Sequence, residues 1–599
     1  MAPGRKQGGG CWTCRLRRKR CDSIQPICGN CQDLEIICHS DKARPPWMDG
    51  AAEQKHMSEA IKERIKQNAI LRRERRATSR AGASVMEYVL STDSAASTLN
   101  TSSVAQAIPQ SSINRSDESQ PSITNASSTS TPITLQKRSP SDTSGQAGFA
   151  VPIQVELGSV MTYLDYVFPF LFPFHQPSLM ETGRQWLLGL LCQNEVSFHI
   201  AASLSAYFFS IVSQNEEPEM HDECKALVYD RLVEQMDMAL ISMQKNVSAI
   251  SHHESQSLLL DKARIMEEIT QLLLVEVTVQ RNVDWKIHLN PALVLFDEIF
   301  KKHGMNHLEP SLAILLEQLP SSFPMATPHQ KPLPNTADQV AFSFFVSLLL
   351  FIDIMASVSL GTSPILQGYH QNLLSFHSEQ NPPIRFEAIV GCQNWALVAI
   401  GNISALCVWK RDAKQSGNFS VVNLVSLAGH ISQNLENGLT SLDTCPPYLL
   451  PNTGANRLAG YYSRHDGVID HTSIASVTRI WAYAAKLYLS VSLSGWQTNS
   501  ADIQVGVAKV LSRLQAIDSP AQLRSLSWPF CVAGCLALPG QEHDFRSIVL
   551  KTGHLGEFGT LLNALRIMEA VWSSRDTVDG DIWGITSCLN ILGSPVFLL

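Results

Sequence analysis

The chain has 599 residues and a formal net charge of -7; 44% of its residues are hydrophobic and 17% are charged. This composition is ordinary for a folded protein and excludes a wholly disordered or collagen-like chain. The charge is unevenly distributed, because residues 1–80 hold 18 Lys+Arg against 9 Asp+Glu and the remainder holds 29 against 45. A basic head on an acidic body predicts a polyanionic partner for the head alone.

Six of the 14 cysteines form an organised set near the N-terminus. The opening sequence MAPGRKQGGG has no apolar run, so we expect no secretory signal and expect cysteines that are reduced or metal-bound. Each member of the second trio lies 17 residues after its counterpart in the first, and the set is Cys11, Cys14, Cys21, Cys28, Cys31 and Cys38. Two tetrahedral zinc ions need eight ligand positions, which six thiolates supply if one sulfur from each half bridges both ions. The symmetry of the repeat makes Cys11 and Cys28 the bridging pair, and a site closed by thiolates predicts structural zinc.

Three other interpretations of this cysteine set are weaker. A six-cysteine disulfide knot requires a secreted protein. A single four-cysteine zinc site leaves the 17-residue repeat unexplained. A RING-like site needs eight separate ligands, and adding His39 gives only seven.

The two halves of the repeat differ in the residues between their second and third cysteines. The first half carries RLRRKR and the second carries QDLEII. We expect each half to form a short helix with an extended return, and only the first helix to face a phosphate backbone. The second half is expected to pack three apolar side chains against the first, namely Leu34, Ile36 and Ile37.

The basic run suggests how DNA is contacted. Arg17 and Arg18 are expected at the middle of the helix, where arginine side chains can reach guanine edges in the major groove. The flanking residues are expected to hold phosphates, and these are Arg15, Lys19 and Arg20. A nuclear-import signal or a solvated charged face are the open alternatives for the same run.

The cysteine spacing, CRLRRKRC after the first pair and the proline before the fourth cysteine together resemble the fungal zinc binuclear cluster transcription factors. The resemblance implies that Cys11 and Cys28 bridge two zinc ions, that Arg17 and Arg18 contact CGG-type triplets in double-stranded DNA, and that the protein acts in the nucleus. Members commonly bind as dimers, so a homodimer is a further expectation. Where many members carry basic residues beside the fourth cysteine, this chain has Ile24, Gln25 and Ile27.

A stretch without Gly or Pro at residues 51–76 predicts a helix after the cluster. Met57, Ile61 and Ile65 share one face at four-residue spacing, but the same register then reaches Asn68, Arg72 and Arg75. A short dimer zipper and a basic helix that attracts DNA through Arg72, Arg73, Arg75 and Arg76 both remain open. This helix and the preceding PPWMDG resemble the family branch that includes the acriflavine sensitivity control protein.

Composition and periodicity divide the rest of the chain. Residues 91–150 contain 24 Ser+Thr among 60, which predicts a flexible linker. Apolar helical periodicity with little β alternation predicts an all-α domain after it. The predicted units are a disordered tail at 1–10, a zinc cluster domain at 11–40, a basic helix and linker at 45–80, a disordered linker at 81–155 and an all-helical regulatory domain at 156–599.

The all-helical region gives no sign of catalytic chemistry or of a membrane span. Residues 341–360 are apolar, but Asp353 at a bilayer centre costs about 2.5–3.5 kcal/mol, so a buried core helix is expected and no membrane partner. No Walker loop, nucleophile elbow or paired-histidine zinc motif occurs there, so no enzyme and no catalytic residue is predicted. We interpret His175, Cys531 and Cys535 as structural residues.

These observations predict a nuclear, sequence-specific DNA-binding regulator of genes transcribed by RNA polymerase II. LDYVFPFLFPFHQPSL and IMEAVW resemble the regulatory domain of the same family, which implies co-regulators as partners. The resemblance also suggests control of a secondary-metabolite gene cluster or of drug resistance. The alternatives are a DNA-tethered enzyme and a protein-interaction module with a structural zinc cluster.

Overall fold

A computed structural model of the chain describes residues 10–22, 28–34, 36–39, 44–45, 47–48, 54–62, 64–66, 155–177, 183–213, 221–252, 259–279, 284–306, 309–319, 336–375, 382–444, 471–575 and 583–599. The N-terminal tail up to residue 9 and the Ser/Thr-rich linker up to residue 154 lie outside this range. So does the arginine-rich end of the helix predicted over 51–76.

Helices dominate the described part of the chain from residue 155 onward. Strands among these residues are confined to one short antiparallel pair, Met305–Asn306 with Glu309–Pro310. The prediction of an all-α C-terminal domain is therefore confirmed. Its α-helices are Val155–Thr162, Phe168–Leu171, Gln185–Gln193, Glu195–Ser213, His221–His252, Leu259–Val279, Lys286–His303, Leu312–Gln318, Ala337–Leu360, His370–Leu374, Glu387–Val390, Asn394–Gln415, Val421–Thr444, His471–Ser494, Ala501–Gln515, Pro520–Arg524, Ser527–Cys535, Glu542–Lys551, Leu561–Ser573 and Ile585–Leu589.

The apolar stretch at 186–212, which suggests one long helix, is two helices that meet at Asn194. Asn194 has extended backbone angles, and its side-chain oxygen accepts the N–H of Ser197 at 3.0 Å, as an N-cap asparagine does. Its amide nitrogen donates to the buried Glu268 at 2.9 Å. The break therefore comes from a polar cap that also reaches a second helix.

Helix Ala337–Leu360 lies at the centre of the domain and packs against helices on several sides. A capping box formed by Thr336 and Gln339 starts it, and Gly361, with a φ of 65°, ends it in the left-handed region that glycine tolerates. The Asp353 carboxylate accepts the backbone N–H groups of Ile365 (3.0 Å) and Leu366 (2.8 Å) in the loop that follows. This buried carboxylate therefore fastens the helix to its own exit loop.

In the part of the chain that the structure describes, two helices are long and apolar enough to cross a membrane by length and composition, within Glu195–Val212 and Ala337–Leu360. In the first segment 67% of the apolar stretch is buried inside the domain, and in the second 89% is buried. The prediction that residues 341–360 form a buried helix is confirmed by this packing.

The aromatic segment at residues 168–175, which is interrupted by prolines, packs as one cluster at the start of the domain. Phe168, Phe172 and His175 lie against Trp186 and Phe344, with ring centroids 4.8–5.9 Å apart in most of these pairs. Pro169 lies directly after a π-helical turn, Tyr163–Val167, within a continuous helical run from Val155 to Leu171. The Arg184 guanidinium donates to the carbonyl of Leu164 in that turn at 2.9 Å. The prolines thus shape the segment without breaking its packing.

The last residues of the chain belong to the same core. Trp285 donates its indole N–H to the carbonyl of Pro595 at 2.9 Å, and its ring stacks on Phe597. Thr560 donates its hydroxyl to the carbonyl of Leu599 and accepts the N–H of that residue. The described helices from residue 155 to the C-terminus therefore share one hydrophobic core.

Candidate metal centre and nucleic-acid interface

Each half of the cysteine repeat begins a short helix directly after its first cysteine. The helices are Trp12–Leu16 and Gly29–Gln32, so the second cysteine of each half lies in the first turn. The Sγ of Cys11 caps its helix by accepting the N–H of Cys14 at 3.3 Å. A cysteine at the cap position places two thiols on the same side of one turn.

The six thiols form two groups of four. One group is Cys11, Cys14, Cys21 and Cys28, and the other is Cys11, Cys28, Cys31 and Cys38; within each group the Sγ atoms lie within 4.8 Å of one another. The groups share the pair that the symmetry of the repeat singles out. The pseudo-symmetry extends to the backbone, where Cys11 N–H donates to the Cys21 sulfur at 3.4 Å and Cys28 N–H donates to the Cys38 sulfur at 3.5 Å.

The spacing of the thiols fits zinc. A tetrahedral site with Zn–S bonds of about 2.3 Å has sulfur–sulfur edges of about 3.8 Å. The Sγ–Sγ distances are 3.7 Å for Cys11–Cys28, 3.8 Å for Cys11–Cys31 and 3.6 Å for Cys14–Cys28. A soft, all-sulfur donor set at these distances suits zinc in a closed site.

Burial makes several thiolates difficult to hold here without a cation. It raises the pKa of Cys14 to about 11 and raises the pKa values of Cys11 and Cys31 well above the usual range. Burial also opposes ionisation of Cys28, but hydrogen bonds from the Cys31 backbone and from neighbouring thiols lower its pKa to about 6. Hydrogen bonds between the thiols therefore stabilise a thiolate at Cys28 and keep its neighbours protonated. A metal ion that binds all of them must displace those protons.

The two halves are also tied together by hydrogen bonds that the sequence did not reveal. Thr13, fully buried between two cysteines, donates its hydroxyl to the Ile37 carbonyl at 2.8 Å and accepts the His39 N–H at 3.1 Å. Trp12 N–H donates to the His39 carbonyl at 2.8 Å. A small hydroxyl residue between two metal-ligand cysteines is the sequence feature that could have indicated this contact.

A second link joins the end of the first half to the start of the second. Asn30 donates its amide to the Arg20 carbonyl at 2.6 Å, and Gly29 N–H donates to the Asp22 carboxylate at 2.9 Å. A Cβ at Gly29 would lie 2.6 Å from that carboxylate oxygen, so a larger residue there would displace the Asp22 side chain from this contact. These contacts hold the backbone of the basic run against the second helix.

The basic run lies differently from the sequence-based expectation. Helix Trp12–Leu16 ends before Arg17, which is its C-cap, so Arg17 and Arg18 are at the end of the helix and not at its middle. Arg18 has a φ of 54°, and Lys19 N–H donates to the Cys14 carbonyl at 2.9 Å across it. The helix is short because this turn carries the chain back toward the third cysteine.

Side-chain exposure separates the five basic residues. Arg15, Arg18, Lys19 and Arg20 are exposed, whereas Arg17 is half-buried and its Nη1 atom is buried with no hydrogen-bond partner among the described residues. The Arg15 guanidinium lies over the Trp12 ring, 4.6 Å from its centroid. Four cationic side chains are thus presented to solvent from one turn and the adjoining loop.

The second half packs as predicted for two of its three apolar residues. Ile36 is buried and Leu34 is half-buried against the thiol cluster. Ile37 is 76% exposed, so its predicted packing is wrong. At this point the chain buries the side chain of Ile36, and Thr13 holds Ile37 by its backbone carbonyl while the Ile37 side chain faces solvent.

The helix after the cluster covers the thiols. Residues 54–62 and 64–66 are helical, and Met57, Ile61 and Ile65 pack against the buried cysteines and Ile36. The shared face that the spacing predicted therefore exists, but it contacts this chain's own cluster. Arg72, Arg73, Arg75 and Arg76 lie outside the described residues.

The candidate residues in the helical domain are core residues. His175 sits in the aromatic cluster, where burial lowers its pKa to about 4. Cys531 and Cys535 are buried on one helix with their Sγ atoms 3.9 Å apart. Both cysteines lie in the hydrophobic core, away from solvent.

The whole arrangement agrees with comparisons to known proteins. Residues 9–46 match the family described as the fungal Zn(2)-Cys(6) binuclear cluster domain, and residues 159–598 match the fungal specific transcription factor domain. The chain therefore belongs to the fungal zinc-cluster transcription factors.

Its relatives include regulators of secondary-metabolite gene clusters. The chain is 61% identical to transcription factor dibT of Pestalotiopsis microspora over the full length of both proteins. It is 25% identical to the pestheic acid cluster transcriptional regulator 3 of Pestalotiopsis fici, over 96% of each chain. It is also 25% identical to the ustiloxin B cluster transcription factor ustR of Aspergillus flavus, over 96% of this chain and 95% of the relative. No solved structure gives a significant match.

Proposed function

We propose that the protein is a nuclear regulator of RNA polymerase II transcription that binds specific DNA sequences and controls genes of a secondary-metabolite cluster. Its family is one of transcription factors, and two relatives are named as regulators of the pestheic acid and ustiloxin B clusters. The observation that carries the proposal is the pair of thiol quartets immediately beside an exposed basic turn.

Two structural zinc ions would be held by the six thiolates, with Cys11 and Cys28 each serving both ions. All eight ligand positions are then thiolates, so zinc supplies folding free energy and offers no open position for a substrate. The module is too small to hold the basic turn in place through a hydrophobic core alone. The metal would therefore fix the geometry that DNA recognition needs.

Within the basic turn, we assign base contact chiefly to Arg18. It is exposed at the tip where the chain reverses, and its guanidinium offers the fork of donors that matches guanine in a CGG-type triplet. Arg17 is assigned to the same triplet, and its half-buried side chain supports a positioning role beside Arg18. The exposed residues assigned to phosphates are Arg15, Lys19 and Arg20.

We assign regulation to the helical domain at 156–599 and DNA binding to the cluster domain at 11–40 and the basic segment at 45–80. The helical domain is acidic and would repel DNA, which supports a division between a DNA-binding head and a body that contacts co-regulators. Homodimerisation on paired triplets is part of the proposal through the family resemblance.

Binding of the full-length protein to short duplexes tests this function. The expected result is salt-dependent binding that is stronger on a CGG-containing duplex than on a scrambled duplex of equal length, together with two zinc ions per chain. Equal affinity for both duplexes would contradict sequence-specific DNA binding and favour a protein-interaction module. Genome-wide mapping of bound sites with expression after deletion then identifies the target genes and separates metabolite-cluster control from drug resistance.

A further inference from the structure

The helical residues 54–62 and 64–66, here called the covering helix, have their apolar side turned toward the thiol cluster. Ile61 is only 9% exposed, and Met57 and Ile65, one turn to either side, are half-buried against the same group. Ile61 belongs to one continuous buried cluster with Ile36 and with the cysteines of both halves. The three side chains thus form one wall of the cluster.

The segment between the last cysteine and this helix is also held to the module. His39, which contacts Thr13 in the first half, packs edge-on against the Trp47 ring with centroids 5.2 Å apart. Arg44 donates to the carbonyl of Met48, which closes a turn before the helix. Among the described residues of this segment, Trp47 therefore packs against the module through His39.

The opposite side of the covering helix is polar. Its exposed residues are Lys55, His56, Glu59, Ala60, Lys62, Arg64 and Lys66. Among the described residues of this helix, a coiled-coil seam would have to use the apolar stripe that already contacts the cluster. One stripe cannot pack against the cluster and a second chain at once.

We propose that the covering helix is a third structural part of the metal-binding module, which shields the thiolates from water and slows metal loss, and that it is not a dimer seam. This inference rests on the proposed zinc binding. The apolar shell around a metal site controls solvent access to its ligands, and the other apolar residues of this module are few, chiefly Leu16, Leu34 and Ile36. Ile61, at the centre of the wall, is the positioning residue.

Substitutions at Ile61 in the full-length chain test the proposal. Zinc-loaded protein is mixed with a chromogenic chelator, and its mass is measured by sedimentation velocity. For Ile61→Asp we expect zinc release about ten-fold faster than for wild type. The matched control Ala60→Asp places the same charge on the exposed side of the same helix and should release zinc at the wild-type rate. The mass should be identical for all three proteins.

A reduced mass for Ile61→Asp would overturn the proposal, because it would assign the stripe to a dimer seam. Unchanged zinc release from Ile61→Asp would also overturn it. If Ile61→Asp does not load with zinc at all, Ile61→Ala provides the comparison and should release zinc faster than Ala60→Asp. Failure of the proposed function is seen separately, as wild-type protein that carries no zinc or does not discriminate between duplexes.

Discussion

Lys19 donates its backbone N–H to the carbonyl oxygen of Cys14 at 2.9 Å. One residue earlier, Arg18 donates its backbone N–H to the carbonyl oxygen of Arg15 at 3.1 Å. Together these bonds form the helix ending in which the residue after the C-cap is left-handed, a position that usually holds glycine. Here that residue is Arg18, with a φ of 54°. A side chain proposed to read DNA is therefore held by a backbone conformation unfavourable for arginine.

Replacing Arg18 separates folding from recognition. A left-handed residue with a Cβ costs about 1–2 kcal/mol, so Arg18→Gly should leave the module as stable as wild type or more stable by up to about 1 kcal/mol. Arg18→Ala keeps the strain. Both variants should lose about 1–3 kcal/mol of discrimination at one triplet position.

Chelator titration measures the stability of the module, and a duplex library with each triplet position randomised measures base preference. Unchanged base preference in both variants would remove Arg18 from the base-reading role. If Arg18→Gly released zinc more readily than Arg18→Ala, the importance of the left-handed backbone would be contradicted.

The shared thiols predict unequal effects of two similar substitutions. Cys28 belongs to both quartets and Cys38 to only one. Cys28→Ser should therefore reduce the zinc content below one ion per chain, while Cys38→Ser should retain about one. Metal analysis of the reduced, purified full-length proteins gives the stoichiometry. Equal zinc content in the two variants would argue against a bridging role for Cys28.

The Thr13 hydroxyl predicts a cost for a substitution of nearly equal volume. Thr13→Val removes the group that donates to the Ile37 carbonyl and leaves the His39 N–H without its acceptor. Leaving buried polar groups unpaired costs about 1–3 kcal/mol, which a shift in the chelator midpoint would reveal. Thr13→Ser retains the hydroxyl and should lie close to wild type. A Thr13→Val protein indistinguishable from Thr13→Ser would contradict this account.

The sequence predicted well which residues of the cluster module act together. It predicted less well what those residues pack against. The 17-residue repeat indicated the shared pair of thiols, because six sulfurs can complete eight positions in few ways. The spacing of Met57, Ile61 and Ile65 indicated an apolar face, but spacing does not say what covers that face. The sequence predicts Arg17 and Arg18 inside a helix. The structure places them in a turn, because contacts with the second half of the module, which the basic run itself does not reveal, hold the backbone there.

The same distinction applies in the helical domain. Helical periodicity predicted an all-α domain, and the buried helix expected at 341–360 corresponds to Ala337–Leu360. Periodicity missed the break at Asn194, although three consecutive polar residues, Gln193, Asn194 and Glu195, interrupt the apolar stretch there. Asp353 carried a signal as a charge within the apolar stretch at 341–360, but only the fold reveals the loop N–H groups that it binds.

Asp353 predicts a pH dependence of stability. Burial raises its pKa from 3.8 to about 6, against the opposing effect of the N–H groups of Leu366 and Ile365. The folded chain thus binds this proton more tightly than the unfolded chain. The free energy of unfolding should therefore fall as the pH rises from about 4 to about 6, by about 3 kcal/mol in total from this group.

Asp353→Asn removes that titration and keeps one side-chain oxygen as an acceptor. The variant should be less stable than wild type at pH 4.5. The difference in free energy of unfolding between the two proteins should narrow or reverse at pH 7.5, and thermal unfolding at both pH values measures that difference. Buried Glu268, whose pKa is raised to about 7, and His175 titrate in both proteins, so the difference between the proteins isolates Asp353. A constant stability difference across this pH range would show that Asp353 does not contribute as described.

The Trp12 ring predicts a positioning effect that is independent of DNA sequence. The Arg15 guanidinium lies 4.6 Å from the ring centroid, where a cation–π contact on an exposed surface contributes about 0.5–1 kcal/mol. Trp12→Ala should weaken binding to every duplex about two- to five-fold and leave base preference unchanged, because only a phosphate contact is loosened.

Arg15→Gln should weaken binding to all duplexes by a similar factor and lower the slope of log affinity against log salt concentration by about one. In a double-mutant cycle, adding Trp12→Ala to Arg15→Gln should cost almost nothing, since the ring acts through the guanidinium. Trp12→Phe retains an aromatic face and should stay near wild type, whereas additive losses in the double variant would mean that Trp12 and Arg15 act separately.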